Sequence, residues 1–293
     1  MVKFMDFKHF RAPYVFMGVE YGFNESEAVI IPVPYDSTTS YRGGTRDGPH
    51  ALITASRQVE IYDMELKKET AFEVKTHTLN EIEPIMDSPK DTIIRVQECA
   101  EEVVSKGKLP ITVGGEHSIT LAPVAALKKK YPNLSVLQID AHADLREEYE
   151  DSQYNHACAM KRVREVAKTV VQVGIRNMSQ PEAEFVKANK LEQFIFGSDF
   201  KADEVVKRLG PGNEVYISVD LDGFDPSEVP GVGTPEPGGI HWQQALELFK
   251  KVAEKKKIVG FDIMELAPIA GNNQSEFFAA KLAYKLLGYS FLL

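Results

Sequence analysis

The chain is poor in cysteine and tryptophan, has no surplus of basic charge, and contains no long apolar run. Its two cysteines, Cys99 and Cys158, cannot build a disulfide framework or a Cys-x-x-Cys metal site, and they point to a reducing compartment. Lys and Arg number 34 against 43 Asp and Glu, a formal net charge of −9. A nucleic-acid partner would ask for a basic face, so the balance disfavours one and suits a small cationic ligand. No stretch approaches the ~20 uninterrupted apolar residues of a membrane span. Residues 1–10 carry charges through what a signal peptide would need as its apolar centre. The expectation is a cytoplasmic protein without a membrane partner.

What is present is a steady alternation of short apolar runs and amphipathic stretches. Ala28-Val29-Ile30-Ile31-Pro32-Val33 reads as a strand, followed by a Gly/Ser/Thr-rich loop over 37–48. Ile93, Val96, Ala100 and Val103 recur at helical spacing, with Gly107 as a stop. Ser118 is placed to cap a helix that ends at Lys128-Lys129-Lys130. Residues 170–175, 194–196 and 258–263 read as further strands. A helix from His241 puts Ala245, Leu248, Phe249 and Val252 on one face, and a C-terminal helix buries Phe278, Leu282 and Leu286. This alternation predicts an α/β fold, a three-layer, doubly wound, mainly parallel sheet with helices on both faces. With no internal repeat, low-complexity tract or charged linker, residues 1–293 read as one domain.

Three strand-like runs end in residues that can hold a metal. Leu134-Ser135-Val136-Leu137-Gln138-Ile139 leads into Asp140-Ala141-His142-Ala143-Asp144. If the backbone stays extended there, side chains two apart share a face, so both carboxylates and the imidazole point one way. Glu214-Val215-Tyr216-Ile217-Ser218-Val219 leads into Asp220-Leu221-Asp222, and Ile111-Thr112-Val113 into Gly114-Gly115-Glu116-His117-Ser118. Open parallel sheets place their sites just beyond the carboxyl ends of such strands. His117, Asp140, His142, Asp144, Asp220 and Asp222 make a mixed oxygen and nitrogen ligand set without thiolates. That set suits manganese best, with zinc, cobalt, nickel or iron as alternatives. It carries enough negative charge for two divalent ions, which together can activate a water for hydrolysis.

At this point the chain resembles the ureohydrolase family of arginases and agmatinases. The GGEHS, DAHAD and SVDLDGFDP segments carry the resemblance, with the Gly/Pro-rich 230–239 and Met264-Glu265-Leu266-Ala267-Pro268, all in the family's order; the 41–49 loop matches more weakly. The resemblance implies two Mn2+ per subunit. His117, Asp140, Asp144 and Asp220 would hold one, and Asp140, His142, Asp220 and Asp222 the other, with Asp140 and Asp220 bridging. It implies attack of a bridging hydroxide on the guanidinium carbon, with Glu265 pairing the guanidinium and His156, in Tyr154-Asn155-His156-Ala157-Cys158, shuttling protons. It also implies a homo-oligomer, trimeric or hexameric.

Among guanidines, agmatine, cleaved to putrescine and urea in polyamine biosynthesis, is the expected substrate. The loop Glu147-Glu148-Tyr149-Glu150-Asp151 is acidic and should attract an ammonium while disfavouring arginine's carboxylate. Arg146 dissents and is expected to pair with a neighbouring acid. Arginase, guanidinobutyrate or formiminoglutamate activity are the alternatives. More remote are a two-metal phosphoesterase, with Arg42 and Arg46 as anion ligands, and a non-catalytic binding protein. Taken singly, these residues also have plain readings: Asp220 and Asp222 as turn formers before Gly223, Glu265 as a surface acid, the 147–151 acids as a solvated face, and 230–239 as a rigid loop in which ligand contact is secondary. Cys158 reads as a small buried hydrophobe. His9, His50, His77 and His241 fall outside every cluster.

Overall fold

A computed structural model describes residues 12–293; the readings of residues 1–10 and His9 lie outside the described residues. Ten strands are formed there: β1 (Ala28–Val33), β2 (Tyr62–Asp63), β3 (Lys68–Glu69), β4 (Thr76–Thr78), β5 (Leu109–Gly114), β6 (Ser135–Ile139), β7 (Thr169–Val173), β8 (Ile195–Phe196), β9 (Glu214–Asp220) and β10 (Lys257–Met264). The helices are α1 (Gly48–Ser56), α2 (Thr70–Glu73), α3 (Pro89–Ser105), α4 (Leu121–Lys130), α5 (Ala159–Val166), α6 (Gln180–Ala188), α7 (Ala202–Arg208), α8 (Trp242–Lys255) and α9 (Gln274–Leu292). Eight strands form one sheet in the order β4-β1-β5-β10-β9-β6-β7-β8. Every pairing in it is parallel. β2 and β3 form a separate antiparallel pair.

A parallel sheet covered on both faces needs strands that are apolar on both sides. β1, β5 and β6 are buried along their whole lengths. Helices follow from stripes: α3 buries Ile93, Val96, Ala100 and Val103, and Ser88 caps it by accepting from the Asp91 N–H. α8 buries Ala245, Leu248, Phe249 and Val252 as the spacing requires.

Two expectations shift. Ser118 does not cap α4; it lies in a short 3-10 turn, His117–Thr120, and its hydroxyl donates to Glu116 Oε1 at 2.6 Å. A fully buried carboxylate is the stronger acceptor, so it takes the hydroxyl that a solvated helix end would have used. Phe278 is only partly buried on α9, packed edge-on against Phe224 and Trp242, while Leu282 and Leu286 are buried.

The four central neighbours β5, β10, β9 and β6 all run the same way, so their carboxyl ends open on one edge of the sheet. Gly115 makes the first of these exits possible. Its φ is +24°, and a Cβ there would sit 2.3 Å from the Tyr35 carbonyl oxygen, so only glycine lets the chain turn from β5 to Glu116 and His117.

Candidate metal centre and substrate pocket

His117 leaves β5, Asp140 and His142 leave β6, Asp220 ends β9, and Glu265 follows β10. Extension beyond β6 persists as expected: His142 forms an isolated parallel bridge with Asn177. The row then ends at Asp144, whose φ of +51° turns the chain away.

His117 is the hub. Its Nδ1 lies 3.0 Å from Asp140 Oδ2, 3.0 Å from Asp144 Oδ2 and 3.2 Å from Asp220 Oδ2. Although buried, that nitrogen makes no hydrogen bond of good geometry. A buried imidazole nitrogen without a partner, ringed by three carboxylate oxygens, is what a cation site leaves when only the protein is considered. The opposite nitrogen, Nε2, lies 2.9 Å from Ser218 Oγ, and that hydroxyl donates to Asp262 Oδ1 at 2.8 Å. This chain of contacts orients the ring and favours the tautomer with a free Nδ1 lone pair. A second group forms at His142, whose Nδ1 lies 2.9 Å from Asp222 Oδ2 and 3.6 Å from Asp140 Oδ1. His117, Asp140 and Asp220 can share one ion, and Asp140, His142 and Asp222 another, so Asp140 belongs to both sets.

The carboxylates are aimed by main-chain donors. Asp140 accepts from the His142 N–H at 2.6 Å, Asp220 from the Asp222 N–H at 2.9 Å, and Asp222 from the Ala141 N–H at 3.0 Å. The β6 and β9 exits touch at Gly223, where a Cβ would stand 2.7 Å from the Asp140 nitrogen. Packing so many acids together has titration consequences. Burial raises the Asp144 carboxyl to about 7, helped by the charge of Asp140, and burial with Asp222 and Asp140 drives Asp220 well up. For Asp140 burial is outweighed by His117 and His142, which hold it low. Burial would lower both imidazoles, but the surrounding carboxylates win, pushing His142 up to about 12 and His117 well above its usual value. Without a metal, protons on the imidazoles offset the acids.

Glu265 is buried, 7% exposed, with a left-handed φ of +64°, and its Oε1 accepts the His117 N–H at 2.7 Å. Burial, then the charge of Glu116, raises its carboxyl well above the usual range. His156 is half-buried on the other wall. It sits with Nδ1 3.4 Å from Thr38 Oγ1 and Nε2 3.4 Å from Ser40 Oγ, and its N–H donates to Thr38 Oγ1 at 3.0 Å. Burial lowers it to about 4, so it is neutral near pH 7. These groups line a cleft of about 250 Å³ shared by His142, Asp144, His156, Asp220, Asp222 and Glu265.

Several expectations need correction. The acids of the 147–151 loop do not line this cleft; Arg146 and Tyr149 do. Glu147 is exposed and spent on Lys161 (2.9 Å) and Arg162 (3.0 Å), because a solvated loop lets its acid turn toward the largely covered cations of α5. Arg146 pairs with an acid distant in sequence, Glu182, at 4.0 Å, and lies over the Tyr149 ring. Arg46 is bound to Asp36 at 2.5 Å, which removes it as an anion ligand. Cys158 is buried as expected, and burial lifts its thiol to about 11, unsuited to nucleophilic work.

Three residues passed over as sequence join the site. Glu116 is buried and accepts from Thr38 N (2.7 Å), Thr38 Oγ1 (2.5 Å) and Ser118 Oγ (2.6 Å), fixing the loop on which His156 rests. Asp262 anchors Ser218, Thr120 and Tyr216 beneath His117. A charge inside an otherwise apolar parallel strand was the available signal for Asp262. Glu236 lines the cleft from the 230–239 segment, so that segment supplies a ligand-facing side chain as well as shape.

Comparison with known proteins agrees with this geometry. The N(1)-aminopropylagmatine ureohydrolase of Synechocystis sp. is 38% identical over 279 residues, 90% of this chain and 89% of that protein. The agmatinase of Pyrococcus horikoshii is 35% identical over 91% of this chain and 93% of its own length. The crystal structure of agmatine ureohydrolase of Thermoplasma volcanium superposes with a TM-score of 0.84 at 31% identity, covering 93% of this chain and 92% of that one. The arginase family model matches residues 26–288, and with the parallel sheet and its carboxylate-lined edge this places the chain in the arginase family, as a hydrolase.

Proposed function

We propose that this chain hydrolyses the guanidinium group of agmatine or of its N1-aminopropyl derivative, releasing urea and the corresponding amine. The observation that carries the reading is a buried carboxylate, Glu265, beside a convergent set of imidazoles and aspartates in one cleft. Relatives named for N(1)-aminopropylagmatine are 35–38% identical to the chain and relatives named agmatinase 32–35%, which supports the substrate class and leaves its two members to experiment.

In this reading His117, Asp140, Asp144 and Asp220 hold one divalent ion, and Asp140, His142, Asp220 and Asp222 the other, with manganese favoured by the ligand chemistry. The unpartnered Nδ1 of His117 supports that fit. When bound, the ions supply an activated water as nucleophile and neutralise the surrounding acids. Glu265 binds the planar guanidinium and fixes its face; the His117 N–H holds one of its oxygens in place and the other is left for the substrate. His156, neutral near pH 7, takes a proton on a ring nitrogen and returns it to the departing amine. The chain acts as one unit over 1–293, in the cytoplasm, as a homo-oligomer.

A manganese-loaded sample assayed for urea release on agmatine, N1-aminopropylagmatine, arginine and guanidinobutyrate tests this. Urea from the first two in preference to the others is expected. Phosphate release from phosphoesters with no urea from any guanidine would refute it.

A further inference from the structure

We infer that Glu236 is the residue that reads the ammonium of the substrate's far end, a role that rests on the guanidine-hydrolase reading above. Six carboxylates line the cleft, and five are already engaged. Asp144, Asp220 and Asp222 face the two imidazoles. Glu265 is fixed by the His117 N–H. Glu182 is consumed by α6, accepting from Ser179 N and Oγ, both at 2.7 Å, and from Leu145 N at 2.8 Å. That leaves Glu236, whose Oε1 accepts from Asn177 Nδ2 at 2.6 Å. Its Oε2 has no hydrogen bond among the described residues, and no Lys or Arg pairs with the group there. A carboxylate held on the wall of a cleft with a free oxygen and no Lys or Arg partner is a site for a cation.

The position of Glu236 suits a cation at the end of a short chain. His142 turns Nδ1 toward Asp222 and Nε2, on the opposite side of the ring, toward Glu236 at 3.8 Å. Glu236 therefore stands one imidazole width outward from the aspartate cluster. The group is also held rigidly. Arg176 donates to the carbonyls of Glu236 (2.7 Å), Pro237 (3.0 Å) and Asp222 (2.7 Å), tying this segment to the β9 exit. Asp225 Oδ2 accepts from the Gly238 and Gly239 N–H groups. Preorganisation of this kind reduces the entropy lost when a mobile alkyl-ammonium binds. The cleft's two arginines do not cancel the effect: Arg146 faces Glu182 and Arg42 donates to the Pro268 carbonyl at 3.3 Å.

The test compares wild type and Glu236→Gln, both manganese-loaded, on agmatine and on butylguanidine, which has the same four-carbon chain but ends in a methyl group. Loss of one charged contact should raise KM for agmatine about 10-fold and leave KM for butylguanidine unchanged. Calorimetry should show the same selective weakening of agmatine binding, with metal content and melting temperature unaltered. An equal loss on both guanidines with depleted metal would overturn the assignment, since Glu236 would then act by orienting His142. No change on either would also overturn it. If wild type releases urea from neither compound, the hydrolase reading fails, and the calorimetric comparison still decides whether Glu236 reads the ammonium.

Discussion

At the scale of single residues, the site separates groups that would hold ions from groups that would hold substrate, and substitution should separate them too. Asp140 faces both imidazoles, at 3.0 Å from His117 and 3.6 Å from His142. Asp140→Ala should cost both metal content and at least ~100-fold in activity, because even partners beyond the ligands are typically worth 10–100-fold. Glu265→Gln should keep the metal and lose about 10–100-fold in kcat/KM, the worth of one charged hydrogen bond. Metal analysis beside urea kinetics on both variants would contradict these roles if the two profiles matched. Titration supplies a second expectation. In the metal-free protein the imidazoles carry protons at neutral pH, and Asp144, raised to about 7, is partly protonated. Metal must displace those protons, so affinity should weaken in acid and rise with pH through about 7 and on toward about 12, as long as the imidazoles of the metal-free protein stay protonated. Calorimetry in two buffers of different ionisation enthalpy would report proton release on manganese binding; a buffer-independent heat would contradict it.

The aspartates and histidines of the cluster were legible in the sequence because three strand-like runs end in them and neighbouring parallel strands bring their carboxyl ends to one edge. Glu116 and Glu236 were not, because what distinguishes them is contact between segments far apart in sequence: Thr38 with Glu116, Asn177 with Glu236. The acidic 147–151 loop misled for the converse reason. Its composition was real, but Lys161 and Arg162 on α5 decide where Glu147 points.

At the scale of elements, β-rich runs with polar residues at their ends revealed the sheet, since parallel strands buried on both faces leave a continuous apolar signature. Short pieces such as β2, β3 and β4 carry no sequence signal, because two or three residues show no periodicity. α9 shows how burial complicates a stripe. It is apolar nearly all round, yet Lys285 is only 4% exposed. Its Nζ bonds Asp63 Oδ2 at 2.9 Å and Glu65 Oε2 at 2.6 Å, and Glu65 also accepts from Tyr289 OH at 2.6 Å. These contacts clamp α9 to the β2–β3 turn. Burial would raise both acids, but Lys285 and the other donors outweigh it, lowering Asp63 and taking Glu65 down to about 2. Carboxylates held low contribute stability that is complete above their unfolded value, near 4, and is lost as pH falls toward 2. Lys285→Ala would leave Asp63 buried without its countercharge and should destabilise by about 3 kcal/mol. In denaturant titrations between pH 7 and 3, this variant should show a flatter acid-side decline than wild type; parallel curves would refute the clamp.

At the scale of the whole molecule, the fold gathers its like charges at one edge. Glu116, Asp140, Asp144, Asp220, Asp222 and Glu265 are all buried there, at the carboxyl ends of four neighbouring strands, in a chain with net charge −9. The sheet's apolar interior holds those strands together while the acids at their ends repel one another, so metal binding and global stability are linked. A divalent ion binds the assembled cluster, whose ligands come from β5, β6 and β9, and finds no equivalent arrangement in the unfolded chain. Stabilisation should therefore grow with the logarithm of free metal, reaching about 2.7 kcal/mol at 100 times Kd. For a chain of this length that is a rise in Tm on the order of 5 °C, reversed by a chelator. Asp140→Ala should abolish the rise, whereas Glu265→Gln should keep it. Scanning calorimetry across a manganese series decides the matter: a Tm indifferent to manganese in the wild-type protein would mean that the carboxylate edge is not held together by metal, and the hydrolytic reading would lose its physical basis.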